Sequence, residues 1–121
     1  MGRKLSYILC LLLMPLFYLG QSPKMLFNEA NEDYEKQEYI NAKEKYISIV
    51  KMKMVSKELY LNLGNSYFKL DSLPEAILYY EKGLKIAPGD IDITHNLKQC
   101  NKLLKDKNPI KKSILLNEFI Y

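Results

Sequence analysis

Apolar and polar residues follow a helical period along most of the chain after residue 20. In the first such segment Met25, Leu26, Ala30 and Tyr34 recur at steps of three and four residues, which places them on one face of a helix. Four further segments show the same spacing, and the two-residue alternation of a strand is absent. The sequence therefore predicts an all-α fold with helices over residues 23–36, 39–51, 57–70, 73–86 and 91–105.

Capping residues set the expected helix boundaries. Ser22, Ser56 and Asp90 each precede a helix, and side chains of this kind accept hydrogen bonds from the first free N–H groups. The run Ser72-Leu73-Pro74-Glu75 combines a capping box with a proline in the first turn. Because the connections are short, successive helices are expected to pack antiparallel.

A period of 34 residues runs through this pattern, and residues 23–56 superimpose on residues 57–90 at that offset. The matched pairs are Asn28 with Asn62, Ala30 with Gly64, Asn31 with Asn65, Tyr34 with Phe68, Ala42 with Ala76 and Tyr46 with Tyr80. Such a period is typical of repeat architectures, in which each helical hairpin buries its apolar face against the next. Stacked hairpins mainly form surfaces, so the period favours binding over catalysis.

Residues 57–90 resemble a tetratricopeptide repeat. The first helix carries a large residue, then Leu-Gly and Tyr at the family spacing, and the second carries Ala, an aromatic residue and a closing Pro. The residues are Tyr60, Leu63, Gly64, Tyr67, Ala76, Tyr80 and Pro88. Gly64 and Ala76 let two helix backbones approach closely. Residues 23–56 resemble a weaker copy that keeps Ala30, Ala42 and Tyr46.

The resemblance implies a solenoid of two repeats and a capping helix over about residues 91–105, within a domain of residues 21–106. Gly83 stands where the family usually has Ala, and Tyr60 where it has Trp. The first helix of each hairpin and the capping helix would line a groove. The expected groove residues are Lys24, Phe27, Asn31, Tyr34, Glu58, Leu61, Asn65, Phe68, His95 and Gln99.

Within this groove, Asn31 and Asn65 would hydrogen-bond an extended partner backbone, and Phe27 and Phe68 would supply apolar area. Ordinary polar surface is the alternative interpretation. Some family members grip a C-terminal carboxylate with lysines and asparagines at fixed groove positions. Asn31 matches one of these positions, as does Asn62, but Phe27 and Asp92 replace lysines there. A carboxylate would be left poorly paired, so a carboxylate clamp is not expected.

Catalysis and metal binding find little support in the sequence. His95 is the only histidine, and Cys100 lies five residues away, off the spacing that shares a helix face. A Gly-rich phosphate loop, a nucleophile–base pair and a metal-ligand cluster are all missing, so neither an enzyme nor a cofactor is expected. The carboxylates of the first hairpin are expected to form a solvated acidic face, comprising Glu29, Glu32, Asp33, Glu35 and Glu38.

Residues 1–20 have the form of an export signal. Arg3 and Lys4 precede an apolar run over residues 5–19 that is too short for an ordinary membrane span. Cleavage is expected before Gln21, with an uncleaved N-terminal anchor as the alternative. The expected location is therefore periplasmic, either free or attached to the inner membrane.

The charge balance argues against nucleic acid as a partner. Removing the signal lowers the formal net charge from +4 to +2, since 16 basic residues remain against 14 acidic ones. Arg3 is the only arginine, and arginine is the usual side chain for reading phosphates and base edges. Cys100 is the only cysteine after the signal, so that part of the chain cannot form an internal disulfide.

The export signal, the short array and the run Asn62-Leu63-Gly64-Asn65-Ser66-Tyr67 are together similar to the Bat-type aerotolerance proteins of bacteria. This resemblance implies a non-catalytic scaffold of the cell envelope that binds a protein or peptide, with proteins carrying von Willebrand A-type domains as partners. Members of that group usually continue into a membrane span and a small SH3-like domain, so the resemblance implies that these residues correspond to the repeat part of such a protein.

Residues 107–121 form an apolar tail with three open interpretations. The tail could fold back as a sixth helix, lie at a membrane surface or begin a further domain. It also supports an alternative function, in which the array is a structural spacer or oligomerisation unit and the tail makes the important contact.

Overall fold

The computed structural model describes residues 20–107, and all regular structure within them is helical. The five helices are α1 (Pro23–Glu35), α2 (Tyr39–Lys51), α3 (Lys57–Lys69), α4 (Leu73–Ile86) and α5 (Ile91–Lys107). Each helix packs against the next, and α1 also contacts α3. The all-α helical stack is thereby confirmed. The predicted signal up to residue 19 and the tail after residue 107 lie outside the described residues.

Side-chain caps begin three of the helices as predicted. The capping contacts are Met25 N to Ser22 Oγ at 3.2 Å, Leu59 N to Ser56 Oγ at 3.1 Å and Ile93 N to Asp90 Oδ1 at 3.0 Å. The capping box predicted at Ser72 is wrong, because its side chain makes no capping hydrogen bond. Ser72 has ψ 70°, whereas Ser22 and Ser56 have the extended ψ of 145° and 164° that directs Oγ toward the helix.

The turn inside each hairpin has the same construction in both repeats. Gln37 and Asp71, which are 34 residues apart, both adopt the left-handed region, with φ of 63° and 60°. The N–H of the following residue bonds back across the turn, from Glu38 to Asp33 O at 2.8 Å and from Ser72 to Tyr67 O at 2.9 Å. Both first helices therefore end in a Schellman motif, although neither turn has a glycine.

Two apolar clusters form the core. The first joins α1, α2 and α3, and consists of Leu26, Ala30, Ala42, Tyr46, Ile49, Leu59 and Leu63. The second joins α4 and α5, and consists of Leu73, Ala76, Tyr80, Ile93 and Cys100. Half-buried Tyr67 packs against both clusters, so the core is continuous along the stack. Burial raises the pKa of the Cys100 thiol, which acts here as a small apolar packing group.

Gly64 on α3 lies against the ring of Tyr80 on α4. A Cβ placed on Gly64 would lie 2.5 Å from Cε1 of Tyr80, whose ring covers the glycine. Tyr67 stacks on Tyr79 with ring centroids 5.5 Å apart. Of the residues expected to pack the repeats, Tyr67 is only half-buried and Pro88 is exposed in the α4–α5 connection, where it follows the end of α4. The others are buried.

The acidic face of the first hairpin is only partly solvated, in contrast to the expectation. Asp33 is 9% exposed, and its Oδ2 lies 2.7 Å from Nζ of Lys45. Glu29 lies 3.6 Å from the same ammonium group. A buried carboxylate is costly unless it is paired, so Lys45 on α2 accounts for the position of Asp33 on α1. In the described part of the chain, no helix is long and apolar enough to cross a membrane.

Candidate protein-binding groove

The first helix of each hairpin and the last helix lie side by side. Asn62 on α3 donates to Oδ1 of Asn31 on α1 at 3.0 Å, and Asn96 on α5 donates to Oδ1 of Asn65 on α3 at 3.0 Å. These contacts hold α1 beside α3 and α3 beside α5. We call the shared face of these three helices the groove, and the ten residues expected to line it belong to these helices.

The ten expected groove residues differ in how far they reach into solvent. Four are exposed, namely Lys24, Glu58, His95 and Gln99. Six are half-buried, namely Phe27, Asn31, Tyr34, Leu61, Asn65 and Phe68. The half-buried residues take part in the fold as well as in the surface. For example, the ring centroids of Phe27 and Tyr46 lie 5.7 Å apart, and Phe68 packs against the second core cluster.

Each of the two groove asparagines is the centre of a hydrogen-bonded group that joins three helices. Asn31 Oδ1 accepts from the hydroxyl of Tyr46 at 2.5 Å as well as from Asn62. Asn65 Oδ1 accepts from the hydroxyl of Tyr80 at 2.6 Å as well as from Asn96. We call each group an asparagine bridge. The members of the second bridge follow those of the first by 34 residues.

The bridges change what the asparagines can offer to a partner. Oδ1 of Asn31 and of Asn65 already accepts two hydrogen bonds from within the protein, so it is a poor acceptor for a partner N–H. The amide nitrogen of each makes no hydrogen bond within residues 20–107 and can donate to a partner carbonyl. Burial raises the pKa of Tyr46 to about 12 and that of Tyr80 further above its usual range, so both hydroxyls remain donors at neutral pH.

A shallow pocket of about 190 Å³ opens beside the first bridge. Its lining residues are Asn31, Tyr34, Glu35, Tyr46 and Asn62. Burial raises the pKa of Tyr34, whose hydroxyl is therefore a neutral donor. Glu35 contributes the one charge among these lining residues.

Glu35 is a groove residue that the sequence prediction missed. It lies four positions after Asn31, the spacing that shares a helix face, and this was the available signal. Asn62, which the sequence matches to a carboxylate-binding position, is not among the predicted groove residues. The structure places it in the first asparagine bridge, where one of its amide hydrogens is occupied by Asn31.

His95 and Cys100 lie on different sides of α5. His95 is exposed and borders a surface depression with Thr94 and Lys98, whereas Cys100 is fully buried. Within residues 20–107, no group of three or more His, Cys, Asp or Glu side chains is arranged to hold a metal ion.

Comparison with known proteins identifies the repeat in the centre of the stack. No curated protein matches the chain significantly. Residues 58–90, which comprise α3, α4 and the connection to α5, match the family model of the tetratricopeptide repeat. The family match gives no support to the narrower resemblance to Bat-type proteins. Together with the helical stack, it supports a tetratricopeptide repeat protein, of a class that generally serves as non-catalytic protein–protein interaction modules.

Proposed function

We propose that the chain binds an extended segment of a protein partner in the groove and that the pocket beside the first asparagine bridge receives a basic side chain. The observation that carries this proposal is the lining of the pocket, which combines a carboxylate with neutral amide and phenol groups. Tetratricopeptide repeats typically bind protein or peptide partners, which gives the general mode.

The chemistry of the pocket favours a cation over a carboxylate. Glu35 is exposed at its rim, and a lysine or arginine side chain placed there would form a charge-assisted hydrogen bond. The free amide hydrogens of Asn31 can hold a backbone carbonyl of the same segment. A C-terminal carboxylate would face Glu35 instead, and like charges brought together oppose binding.

A peptide array tests this proposal with the full chain as the probe. The array carries unrelated peptides, each synthesised with an amidated and with a free C-terminus. We expect bound peptides to be enriched in lysine and arginine, with no gain from the free carboxylate. Glu35→Lys should weaken their binding about tenfold, because it reverses the charge at the pocket.

Glu44→Lys is the matched control. Glu44 lies on α2 of the same hairpin, outside the groove helices, and is exposed like Glu35. Equal losses from the two variants would refute the pocket as the binding site. Selection of acidic peptides or of free C-termini would refute the proposed preference for a basic group.

We also infer that this module works at the cell envelope, exported and retained at the inner membrane, as a scaffold in a Bat-type assembly. Support comes from the sequence: a basic start, the apolar run over residues 5–19 and the similarity of the repeat region to that group. Purification of the full chain from membranes should co-purify proteins with von Willebrand A-type domains. Recovery of the chain from the cytoplasm with an intact first residue would contradict the export.

A spacer or oligomerisation unit acting through residues 107–121 is the second candidate, favoured by the apolar character of that segment. Deletion of residues 110–121 separates the two functions. Only the spacer function predicts that the deletion abolishes association while binding of array peptides is retained.

A further inference from the structure

One end of the helix stack differs from the other in its surface. Because consecutive helices run antiparallel, the start of α1, the α2–α3 connection (residues 52–56) and the α4–α5 connection (residues 87–90) lie together. The ion pair between Lys57 Nζ and Asp90 Oδ2, at 2.9 Å, joins two of these segments. We call this the basal end. Residues 36–38 and 70–72 form the opposite end.

The basal end concentrates exposed apolar side chains. Six large hydrophobic residues there are 45% to 82% exposed, namely Met25, Met52, Met54, Val55, Ile86 and Ile91. At the opposite end Ile40 is 56% exposed among charged and polar neighbours such as Glu38 and Asn41, and Leu103 and Leu104, toward the end of α5, are less exposed at 36% and 37%. Large apolar residues clustered at one end of a small domain indicate a surface that is covered in use.

Lysines surround these apolar residues. Lys24, Lys51, Lys53 and Lys85 are exposed at the basal end, and none of them forms an ion pair within residues 20–107. Asp90, the acidic residue in the α4–α5 connection, is already paired with Lys57. Glu58 and Asp92, in the first turns of α3 and α5, are the exposed carboxylates of this end, and the four unpaired lysines outnumber them. Apolar side chains ringed by lysines are the composition that binds anionic lipid headgroups.

The sequence that precedes α1 also favours a lipid surface as the binding partner of the basal end. Gly20 leads into α1 at the basal end, and in the uncleaved, anchored form of the chain the apolar run over residues 5–19 directly precedes it in the sequence. We propose that the basal end lies against an anionic lipid surface, with its methionines and isoleucines in the headgroup layer and its lysines on the phosphates. The helices then stand upright, and the groove opens sideways, parallel to the membrane. This inference does not depend on what the groove binds.

Tryptophan fluorescence tests the contact directly, because the sequence contains no tryptophan. The full chain carrying Met54→Trp is reconstituted into vesicles of phosphatidylethanolamine and phosphatidylglycerol whose acyl chains are brominated. Met54 is 59% exposed and far in sequence from the apolar run. We expect its tryptophan emission to shift to shorter wavelength and to be quenched by the brominated lipid.

Ile40→Trp is the matched control at the opposite end, about 20 Å away for helices of this length. Its emission should be the same in brominated and in ordinary vesicles. Replacing Lys51 and Lys53 with glutamine should lower the docking equilibrium of the Met54→Trp chain roughly 30-fold, because each lysine near an anionic surface contributes a factor of about five.

Three results would overturn the proposal. Equal quenching of the two tryptophans would show that the basal end is not the lipid-facing end. A blue shift of Met54→Trp without lipid, growing with protein concentration, would assign the surface to a second copy of the chain. Quenching that is unchanged by neutral phosphatidylcholine vesicles and by the lysine substitutions would refute the electrostatic contact. None of these readouts uses peptide binding, so this inference and the groove proposal can fail separately.

Discussion

Gly64→Ala is expected to destabilise the protein even though it improves helix propensity. Replacing a helical glycine with alanine usually stabilises by about 1 kcal/mol, because the unfolded chain loses freedom. At this position the added methyl carbon would lie 2.5 Å from Cε1 and 2.7 Å from Cδ1 of Tyr80. Either the ring or the helix must therefore move by most of an ångström.

The ring of Tyr80 has little room to move. It is 1% exposed, and its hydroxyl is held by Asn65 at 2.6 Å. Overpacking of this kind costs about 1–3 kcal/mol, and weakening the hydrogen bond costs about 1 kcal/mol more. After the gain in propensity, the net loss is about 2 kcal/mol. For a domain of this size that corresponds to a fall in Tm of roughly 8–16 °C.

Gly83→Ala is the matched control, since Gly83 is also a buried helical glycine, on α4. There the added carbon would meet Cδ1 of Ile93 at 2.9 Å, the free end of a flexible side chain that can move aside. This variant should be neutral or up to about 1 kcal/mol more stable. Thermal unfolding followed by far-UV circular dichroism measures both variants.

A second substitution isolates the cause. Tyr80→Leu removes the atoms that the new methyl group would meet, so in that background Gly64→Ala should lose most of its destabilising effect. The reasoning is refuted if Gly64→Ala is as stable as Gly83→Ala, or if its effect is the same with and without the Tyr80 ring.

Three further predictions concern polar contacts of the stack. Asn65→Ala should lower the free energy of urea unfolding by about 1–3 kcal/mol, because it leaves the Tyr80 hydroxyl buried without a partner. Tyr80→Phe in the same chain should recover part of that loss, and additive effects of the two substitutions would show that the bridge is unimportant. Lys45→Met should lower the urea midpoint of unfolding, because it leaves the buried Asp33 carboxylate without its ion-pair partner. Asp33→Asn in the same chain should restore the midpoint, and a midpoint that stays low would exclude the pair as the cause. The N–H of Ile93 and the ammonium of Lys57 hold the pKa of Asp90 below its usual value of 3.8, so its contribution is complete above about pH 4 and is lost as the pH falls through the lower folded pKa. An acid titration of the unfolding midpoint should therefore be shallower in Asp90→Asn than in the unaltered chain, and identical slopes would contradict this.

The helices and their order could be predicted from the sequence because their signals are local. The positions of Ser22, Ser56 and Asp90 determine where three helices begin, since capping depends on residues within one turn. Ser72 is the same type of capping residue, but it makes no side-chain cap, because its ψ angle is set by the Schellman turn that ends the preceding helix. A side-chain cap needs the right residue and also the right backbone geometry, and only the first is visible in the sequence.

The groove was less accessible to sequence reasoning. The 34-residue offset paired Asn31 with Asn65, which indicated that both have a role in the repeat. It could not show that their carbonyl oxygens face inward, because that depends on Tyr46 and Tyr80 reaching them from the second helices. The partner-binding role of the groove residues stays a prediction, and the peptide array is its test.

The two asparagine bridges make the junctions along the stack interchangeable. Asn62 and Asn96 each donate an amide hydrogen to the hairpin that precedes them in the stack. Asn31 and Asn65 provide the accepting oxygens. A duplicate of residues 57–90 inserted after Asp90 would meet compatible chemistry on both sides, so the chain has the parts to lengthen one hairpin at a time. Each insertion would add one nearest-neighbour coupling of the same kind, and stability should rise by a nearly constant increment with every hairpin.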